Sequence, residues 1–293
     1  MEKLRKFWKK PLDEKIVFVI YFIFFVAMAC VFLYPILYCL LSTFKSTAEF
    51  YDETTSLISL PKNPQFDTWK NIFTLFQYGN NNFGTMLWNS LWFTAVKVFC
   101  TVACSAMLAY AVAKFEFPGK KLIYATAVIV QTIPIFGSGA TAYKIFSALG
   151  MVNNPKLMWL AWCTGFNMSF IILHGMFKGI SNSYAESAKI DGASNLTILL
   201  KIILPLAAPT IVALMVTNSV TVWNDYSTIQ IYLRDYPTIS YGLYCFPNEA
   251  QYVENSQSVY YAAMLLSMIP IMLIYGLSQK LVLTNVSVGG LKG

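Results

Sequence analysis

Long uncharged apolar runs alternate with short polar segments along this chain. At about 1.5 Å per residue, roughly 20 helical residues cross the hydrocarbon core of a bilayer. Six runs reach about that length, and we predict a transmembrane helix in each. They cover residues 16–44, 86–113, 122–143, 157–177, 204–226 and 259–279. The pattern therefore predicts an all-α polytopic membrane protein with six transmembrane helices.

Positive charge is distributed unevenly between the two sides that six crossings define. Fourteen Lys or Arg residues fall in the N-terminus, the C-terminus, the loop after span two and the loop between spans four and five, whereas six fall in the other loops. Because cytoplasmic segments are enriched in Lys and Arg, the predicted topology is N-in/C-in. The first run is too long for the apolar core of a signal peptide. We therefore divide the chain into a cytoplasmic N-terminal segment (1–15), a transmembrane domain (16–283) and a cytoplasmic tail (284–293).

Composition agrees with a membrane location and excludes other classes. Hydrophobic residues make up 57% of the chain and charged residues only 12%, whereas a soluble domain carries about 25% charged residues. The net charge of +7 comes from basic residues scattered between apolar runs, so no nucleic-acid partner is expected. Five of the six cysteines lie within apolar runs, and we interpret the cysteines as small buried hydrophobes and not as a disulfide framework.

No set of side chains in the sequence suits catalysis or metal binding. The phosphate-binding pattern GxxxxGK[ST] is absent, so we predict no such ATP site in this chain. The one histidine, His174, is interpreted as a packed or interfacial group, with a general base as the alternative. Ser and Cys have no His and acid partners in a shared region. We therefore predict no enzyme activity, no catalytic residue, no metal ion and no cofactor.

Two charged residues fall inside the predicted spans, where charge is costly and usually faces a cavity or a partner. Lys97 lies in span two, and Asp225 lies near the end of span five in the sequence Trp223, Asn224, Asp225, Tyr226. These four residues are candidates for a polar path that hydrogen-bonds a hydroxylated solute. The alternative is an interfacial belt of aromatic residues around a loop entry. For Lys97, the alternatives are a partner in a neighbouring chain, snorkelling to the interface, or a functional role.

The polar segment between spans four and five, residues 184–209, predicts a helical hairpin. Gly192 suits the left-handed position at a helix end, and Pro205 suits the first turn of a helix, where a missing N–H has no partner to lose. We expect a short helix, a turn at Gly192, a second helix, and a third helix that begins at Pro205. The predicted topology places this hairpin in the cytoplasm.

The hairpin resembles the signature loop of binding-protein-dependent ABC importer permeases. That loop contains Glu-Ala-Ala, three further residues, Gly, and then, after about nine residues, Ile-x-Leu-Pro. This chain has Glu186-Ser187-Ala188, Gly192 and Ile203-Leu204-Pro205. It departs from the pattern at Ser187, which is still small, and in having no spacer after the isoleucine. Further stretches are similar to the maltose-type, carbohydrate-uptake branch, in the subunit with a short C-terminal tail, and they fall at residues 109–120, 134–150, 223–226 and 290–293.

The resemblance implies a permease subunit of an ATP-driven importer for a sugar or oligosaccharide, in the bacterial cytoplasmic membrane. A separate ATPase dimer would bind the ATP, and Glu186, Ser187, Ala188, Asp191 and Gly192 would form the coupling helix that docks on it. The other implied partners are a second homologous permease, an extracytoplasmic solute-binding protein and membrane lipid. A non-sugar solute is one alternative. An ATP-independent secondary transporter is another, although no inverted repeat is visible.

Overall fold

Helices make up most of the chain in the computed structural model, which describes residues 11–52, 59–133, 138–249 and 256–288. In chain order they are α1 (Leu12–Ser42), α2 (Thr47–Phe50), α3 (Asp67–Leu75), α4 (Phe83–Lys114), α5 (Lys120–Thr132), α6 (Ser138–Ala148), α7 (Pro155–Trp162), α8 (Met168–Gly179), α9 (Ser183–Ile190), α10 (Asn195–Ile198), α11 (Leu204–Trp223), α12 (Tyr226–Tyr232), α13 (Ile239–Glu249) and α14 (Ser256–Val288). A π-helical turn, Leu199–Ile203, joins α10 to α11. The predicted predominance of helix is confirmed.

A small hairpin of two strands precedes α4, and the sequence pattern did not predict it. Strand β1 (Gln77–Tyr78) pairs antiparallel with β2 (Asn81–Asn82) around a turn in which Gly79 has φ +56°. The side chain of Asn82 then accepts a hydrogen bond from the N–H of Thr85 at 2.9 Å. This cap satisfies one of the free N–H groups in the first turn of α4, and it fixes where that helix begins.

Four helical stretches within the described ranges are long and apolar enough to cross a membrane. They are Leu12–Ser42, Phe83–Lys114, Asn195–Trp223 and Ser256–Lys280. They correspond to predicted spans one, two, five and six. The predicted count of six crossings and the N-in/C-in orientation stay predictions.

Predicted spans three and four are each two helices in the structure and not one continuous helix. Span three is divided between α5, which ends at Thr132, and α6, which begins at Ser138. Pro134 lies outside the described residues, but the residue before a proline is disfavoured in a helix, which accounts for an end close to Thr132. Span four is divided between α7, which ends at Trp162, and α8, which begins at Met168.

The break between α7 and α8 has a local cause and a packing cause. Asn167 caps α8, because its side-chain oxygen accepts a hydrogen bond from the N–H of Phe170 at 3.2 Å. Gly165 lies so close to α4 that a Cβ at this position would come within 2.5 Å of Cδ2 of Leu108. The segment between α7 and α8 can therefore approach α4 closely because Gly165 has no side chain.

The chain divides into two compact units. The first comprises Met1–Phe76 and Pro247–Leu266. In it, α1 exposes apolar side chains along most of its length, which is typical of a helix that faces lipid. The segment after α1 folds on itself, since the Glu49 carboxylate accepts hydrogen bonds from the backbone N–H groups of Lys62 and Asn63 at 3.1 and 3.2 Å.

The second unit comprises Gln77–Phe246 and Ser267–Gly293, and α4, α8 and α11 form its core. Small buried residues on α4, such as Ala106 and Ala109, pack with larger buried residues of α8, such as Phe170 and Leu173. Small side chains let membrane helices approach each other closely, and contact between helices is their main source of stability. All six cysteines of the chain are free.

Candidate functional site

The predicted hairpin between spans four and five has the local structure that its sequence indicates. Helix α9 ends at Ile190, and Gly192 then adopts φ +82°. The N–H of Gly192 donates to the carbonyl of Lys189 at 3.0 Å, and the N–H of Ala193 donates to the carbonyl of Ala188 at 2.9 Å. This pair of bonds is a Schellman motif, which ends a helix and reverses the chain. The helix, glycine turn and second helix are confirmed.

The third helix, α11, begins at Leu204 and has Pro205 in its first turn, close to the predicted start. It is not separated from the second helix, because the backbone is helical from Asn195 to Trp223 and the π-helical turn Leu199–Ile203 joins α10 to α11. A proline inside an α-helix has no N–H to donate and its ring crowds the preceding turn, so a wider turn accommodates it. The hairpin is therefore continuous with α11.

The predicted docking residues lie on an accessible surface. Glu186, Ser187, Asp191 and Gly192 are exposed, and Ala188 is partly buried against the core of the second unit. Helix α9 thus rests on the protein through its alanines and presents its charged and small residues outward.

Large apolar side chains of the same hairpin are also exposed, and they were not among the predicted docking residues. Ile190 is 87% exposed and Leu196 is 64% exposed, and Tyr184 is also exposed. Apolar residues grouped on a polar element indicate a surface that contacts another protein. In the sequence these residues stand out as an isoleucine, a leucine and a tyrosine within a polar segment.

Lys114, the last residue of α4, connects that helix to the hairpin. Its ammonium group donates to the carbonyl of Ile180 and to the side-chain oxygen of Asn182, the latter at 2.9 Å. Both acceptors lie in the short link that leads into α9. A cavity of about 150 Å³ lies beside this contact and is lined by Lys114, Glu186 and Lys189 among others. The end of α4 is therefore held against the start of the hairpin.

The two charges predicted inside the spans are paired with each other. Lys97 Nζ lies 2.6 Å from Asp225 Oδ2, and the two side chains are 19% and 18% exposed. Asp225 also accepts hydrogen bonds from the N–H of Thr228 at 3.0 Å and the hydroxyl of Ser227 at 3.0 Å. Lys97 Nζ lies 5.2 Å from the centre of the Phe93 ring. The partner of Lys97 is thus in its own chain. The sequence could have indicated this pairing, because the two residues have opposite charges and both lie within predicted spans.

The other residues of the predicted path have different surroundings. Trp223 is buried, and its indole N–H donates to the carbonyl of Ser267 at 3.1 Å. Asn224 is exposed, and its amide donates to the carbonyl of Val220 at 2.9 Å. The ring of Tyr226 stacks on Tyr244 with centroids 4.4 Å apart. Asn224 and Tyr226 therefore reach an accessible surface, whereas Trp223 holds the end of α11 in place.

A groove lies between the start of α8 and the middle of α11. Its volume is about 320 Å³, and its lining combines the apolar side chains of Met168, Ile172 and Leu214 with the polar side chains of Asn167, Ser169, Thr217, Asn218 and Thr221. The amide of Asn218 donates to the hydroxyl of Ser169 at 3.2 Å, so the two helices are bonded across its floor. This groove was not predicted, although span five contains three polar residues, Thr217, Asn218 and Thr221, that indicate a polar contact there.

One face of α11 continues this groove. Thr217, Thr221 and Asn224 follow each other at helical spacing and are all exposed. The hydroxyl groups of both threonines donate to carbonyls of their own helix, at 3.1 Å for Thr217 and 3.3 Å for Thr221. Each hydroxyl oxygen keeps lone pairs that can accept a hydrogen bond from another molecule. Polar residues on a spanning helix face a cavity or another subunit and not lipid.

Long apolar helices, one of which continues a capped hairpin, are the features of a helical membrane protein. The chain belongs to the family of binding-protein-dependent transport system inner membrane components, whose model matches residues 101–288.

The chain resembles known proteins and a solved structure over most of its length. It is 28% identical over 261 residues to the diacetylchitobiose uptake system permease protein of Streptomyces coelicolor, covering 87% of this chain and 82% of that protein. It is 28% identical over 215 residues to the maltose/maltodextrin transport system permease protein of Salmonella typhimurium, covering 71% of this chain and 72% of that protein. A crystal structure of a bacterial ABC transporter involved in the import of alginate has the same fold, with a TM-score of 0.73 at 22% identity over 92% of this chain and 98% of that one.

Proposed function

We propose that this chain is one of two permease subunits of an ATP-driven importer for a sugar or oligosaccharide in the bacterial cytoplasmic membrane. The observation that carries the proposal is the hairpin formed by α9 and α10. It is exposed, it presents unpartnered apolar side chains, and it continues into a helix long enough to cross the membrane. The named relatives that transport diacetylchitobiose and maltodextrin support a carbohydrate as the solute.

In the proposed mechanism, Glu186, Ser187, Ala188, Asp191 and Gly192 dock in a cleft of a separate ATP-binding subunit. Closure of the ATPase pair then displaces α9 and α10. Because the backbone is helical from Asn195 to Trp223, the displacement reaches α11. Lys114 passes the same movement to α4 through its contact with Asn182. Packed helices that move as rigid bodies are a common basis of alternating access.

The proposed topology has six crossings with both termini in the cytoplasm, and it accounts for the position of the ion pair. Helix α4 has 32 residues, which makes it about 48 Å long, and about 30 Å is enough to cross the hydrocarbon. If Lys114 lies at the cytoplasmic boundary, Lys97 is about 25 Å along the helix and close to the outer boundary. A charge at that depth, paired with Asp225, is much less costly than one at the bilayer centre.

The solute path in this subunit is proposed to follow the groove between α8 and α11 and the polar face of α11 that continues it. Thr217, Thr221 and Asn224 offer hydrogen-bond acceptors in a row, which suits a solute that carries many hydroxyl groups. Tyr226 and Tyr244 supply aromatic faces at the same end of the helix. Asp225 and Trp223 position this end of α11 through their contacts with Lys97 and Ser267.

Replacing the two threonines should impair transport without unfolding the protein. We expect T217L combined with T221L to lower kcat/KM for uptake by at least about tenfold, because each lost hydrogen bond to solute is worth about 1 kcal/mol. The matched control is T132L, since Thr132 is also exposed and bonded to its own helix, on α5 outside the groove. Initial uptake rates at several solute concentrations measure the effect. Unchanged uptake in the double variant would remove this face from the path.

Copurification tests the proposed assembly. An affinity-tagged copy of the chain, solubilised in mild detergent, should recover an ATP-binding protein and a second permease in defined proportion. The N-terminal and C-terminal tags should give the same result. Purification of the chain alone, with transport activity on reconstitution, would contradict the proposal.

A further inference from the structure

A second cavity, outside the hairpin and the groove, lies between the end of α4, the start of α5 and the C-terminal part of α8. Its volume is about 290 Å³. Three lysines, Lys120, Lys121 and Lys178, line it together with His174 and Tyr124. Neither the docking of a partner at α9 nor the path along α11 uses these residues.

The cavity carries an excess of positive charge. Lys120 Nζ lies 2.8 Å from a carboxylate oxygen of Glu116. The hydrogen bond from Lys120 and the charges of Lys120 and Lys121 hold the pKa of Glu116 below its usual range, so this one carboxylate stays ionised. Over the described part of the chain, no carboxylate lies within ion-pair distance of Lys121 or Lys178. Two of the three ammonium groups are therefore available to an anion.

Aromatic rings form a fixed wall of the cavity. The ring centroids of His174 and Tyr124 are 4.6 Å apart, and those of His174 and Phe170 are 6.0 Å apart. Phe170 is fully buried in the core of the second unit. His174 is thus a packed residue at this site, and the cavity has its shape before any ligand arrives, which lowers the entropy cost of binding.

The cavity lies beside the end of α4, a helix long and apolar enough to cross a membrane. The end of such a helix lies at the membrane surface, where anionic lipid headgroups attract nearby lysines. A phospholipid headgroup therefore reaches the cavity from the membrane itself, whereas a free anion has to come from solution.

We propose that this cavity binds the phosphate headgroup of an anionic phospholipid. Lys121 and Lys178 contact the phosphate, and Lys120 is shared between the phosphate and Glu116. Basic pockets between membrane helices bind anionic headgroups in this way. The proposal requires only that the chain lies in a membrane, so it stands or falls independently of the transported solute.

Lipid titration of the full-length protein in detergent, followed by native mass spectrometry, tests this site. The probe is phosphatidylglycerol, with phosphatidylcholine as the neutral comparison. We expect one phosphatidylglycerol to bind preferentially. A variant carrying K120Q, K121Q and K178Q should bind it at least about tenfold more weakly, because each lysine near an anionic surface contributes about fivefold in affinity. Arginine at the same three positions should retain binding, since the charge is kept.

The matched control carries K70Q, K144Q and K156Q, which removes the same net charge outside the cavity. It should bind phosphatidylglycerol like the unmodified protein. Equal binding of both lipids, or equal loss in the two glutamine variants, would overturn the proposal. Full competition by inorganic phosphate would identify a free anion as the ligand and overturn it too. Loss of a copurifying ATP-binding protein with lipid binding unchanged would make the cavity a protein interface instead.

Discussion

The E186K variant is expected to abolish docking of the ATP-binding subunit while leaving membrane insertion intact. Glu186 is exposed on α9, on the surface that also carries Ile190 and Leu196, so the fold does not depend on its charge. Removing one member of a charge pair that is buried at an interface costs about 2 kcal/mol or more. Uptake and copurification should therefore fall at least about thirtyfold.

A matched control separates docking from a general effect of charge. Asp67 is an exposed acid at the start of α3 whose ion pair with Lys70 is 3.7 Å long and solvent-accessible, and such pairs contribute little stability. The D67K variant makes the same change in net charge and should transport normally. If E186K copurified the ATP-binding protein at normal levels, the docking role would be contradicted. If E186K failed to insert, Glu186 would be structural.

Breaking the Lys97–Asp225 pair should have the second large effect, and it concerns stability. Either K97M or D225L leaves one charge only partly exposed and without its partner. Removing one partner of a buried pair costs about 3 kcal/mol, whereas replacing both by apolar residues is often nearly neutral. We therefore expect each single variant to lose several degrees of thermal stability in detergent and the double variant to recover most of the loss.

A double-mutant cycle decides whether the two charges interact. The coupling energy from thermal or denaturant unfolding of the four proteins should exceed about 1 kcal/mol. Losses that simply add in the double variant would mean that the pair is not coupled. Asp225 also accepts a hydrogen bond from the N–H of Thr228, so D225N keeps part of this network and should be milder than D225L.

The hairpin could be predicted because its determinants are local. Gly192 marks a left-handed turn, and the residues around it form a Schellman motif over only a few positions. Pro205 was predicted to open a third helix, and it lies in the first turn of α11, but the π-helical turn that joins this helix to α10 was not predicted. The outcome there depends on whether the neighbouring turns can widen, which the proline alone does not specify.

The pairing of Lys97 with Asp225 and the groove between α8 and α11 depend on tertiary packing. The two charges are far apart in the chain, and their contact requires the end of α11 to lie beside the middle of α4. The break in span four likewise depends on a contact, because Gly165, between α7 and α8, lies directly against Leu108 of α4. Apolar periodicity predicts that a segment is long enough to span, but it does not predict where a neighbouring helix interrupts it.

Uptake into proteoliposomes tests the proposed coupling most directly. The chain is reconstituted with its copurified ATP-binding and permease partners and with a solute-binding protein, and accumulation of a labelled oligosaccharide is followed. The proposed coupling predicts accumulation with ATP, and none with a non-hydrolysable ATP analogue or with an ion gradient alone. Accumulation driven by an ion gradient without ATP, by the chain without its partners, would contradict it.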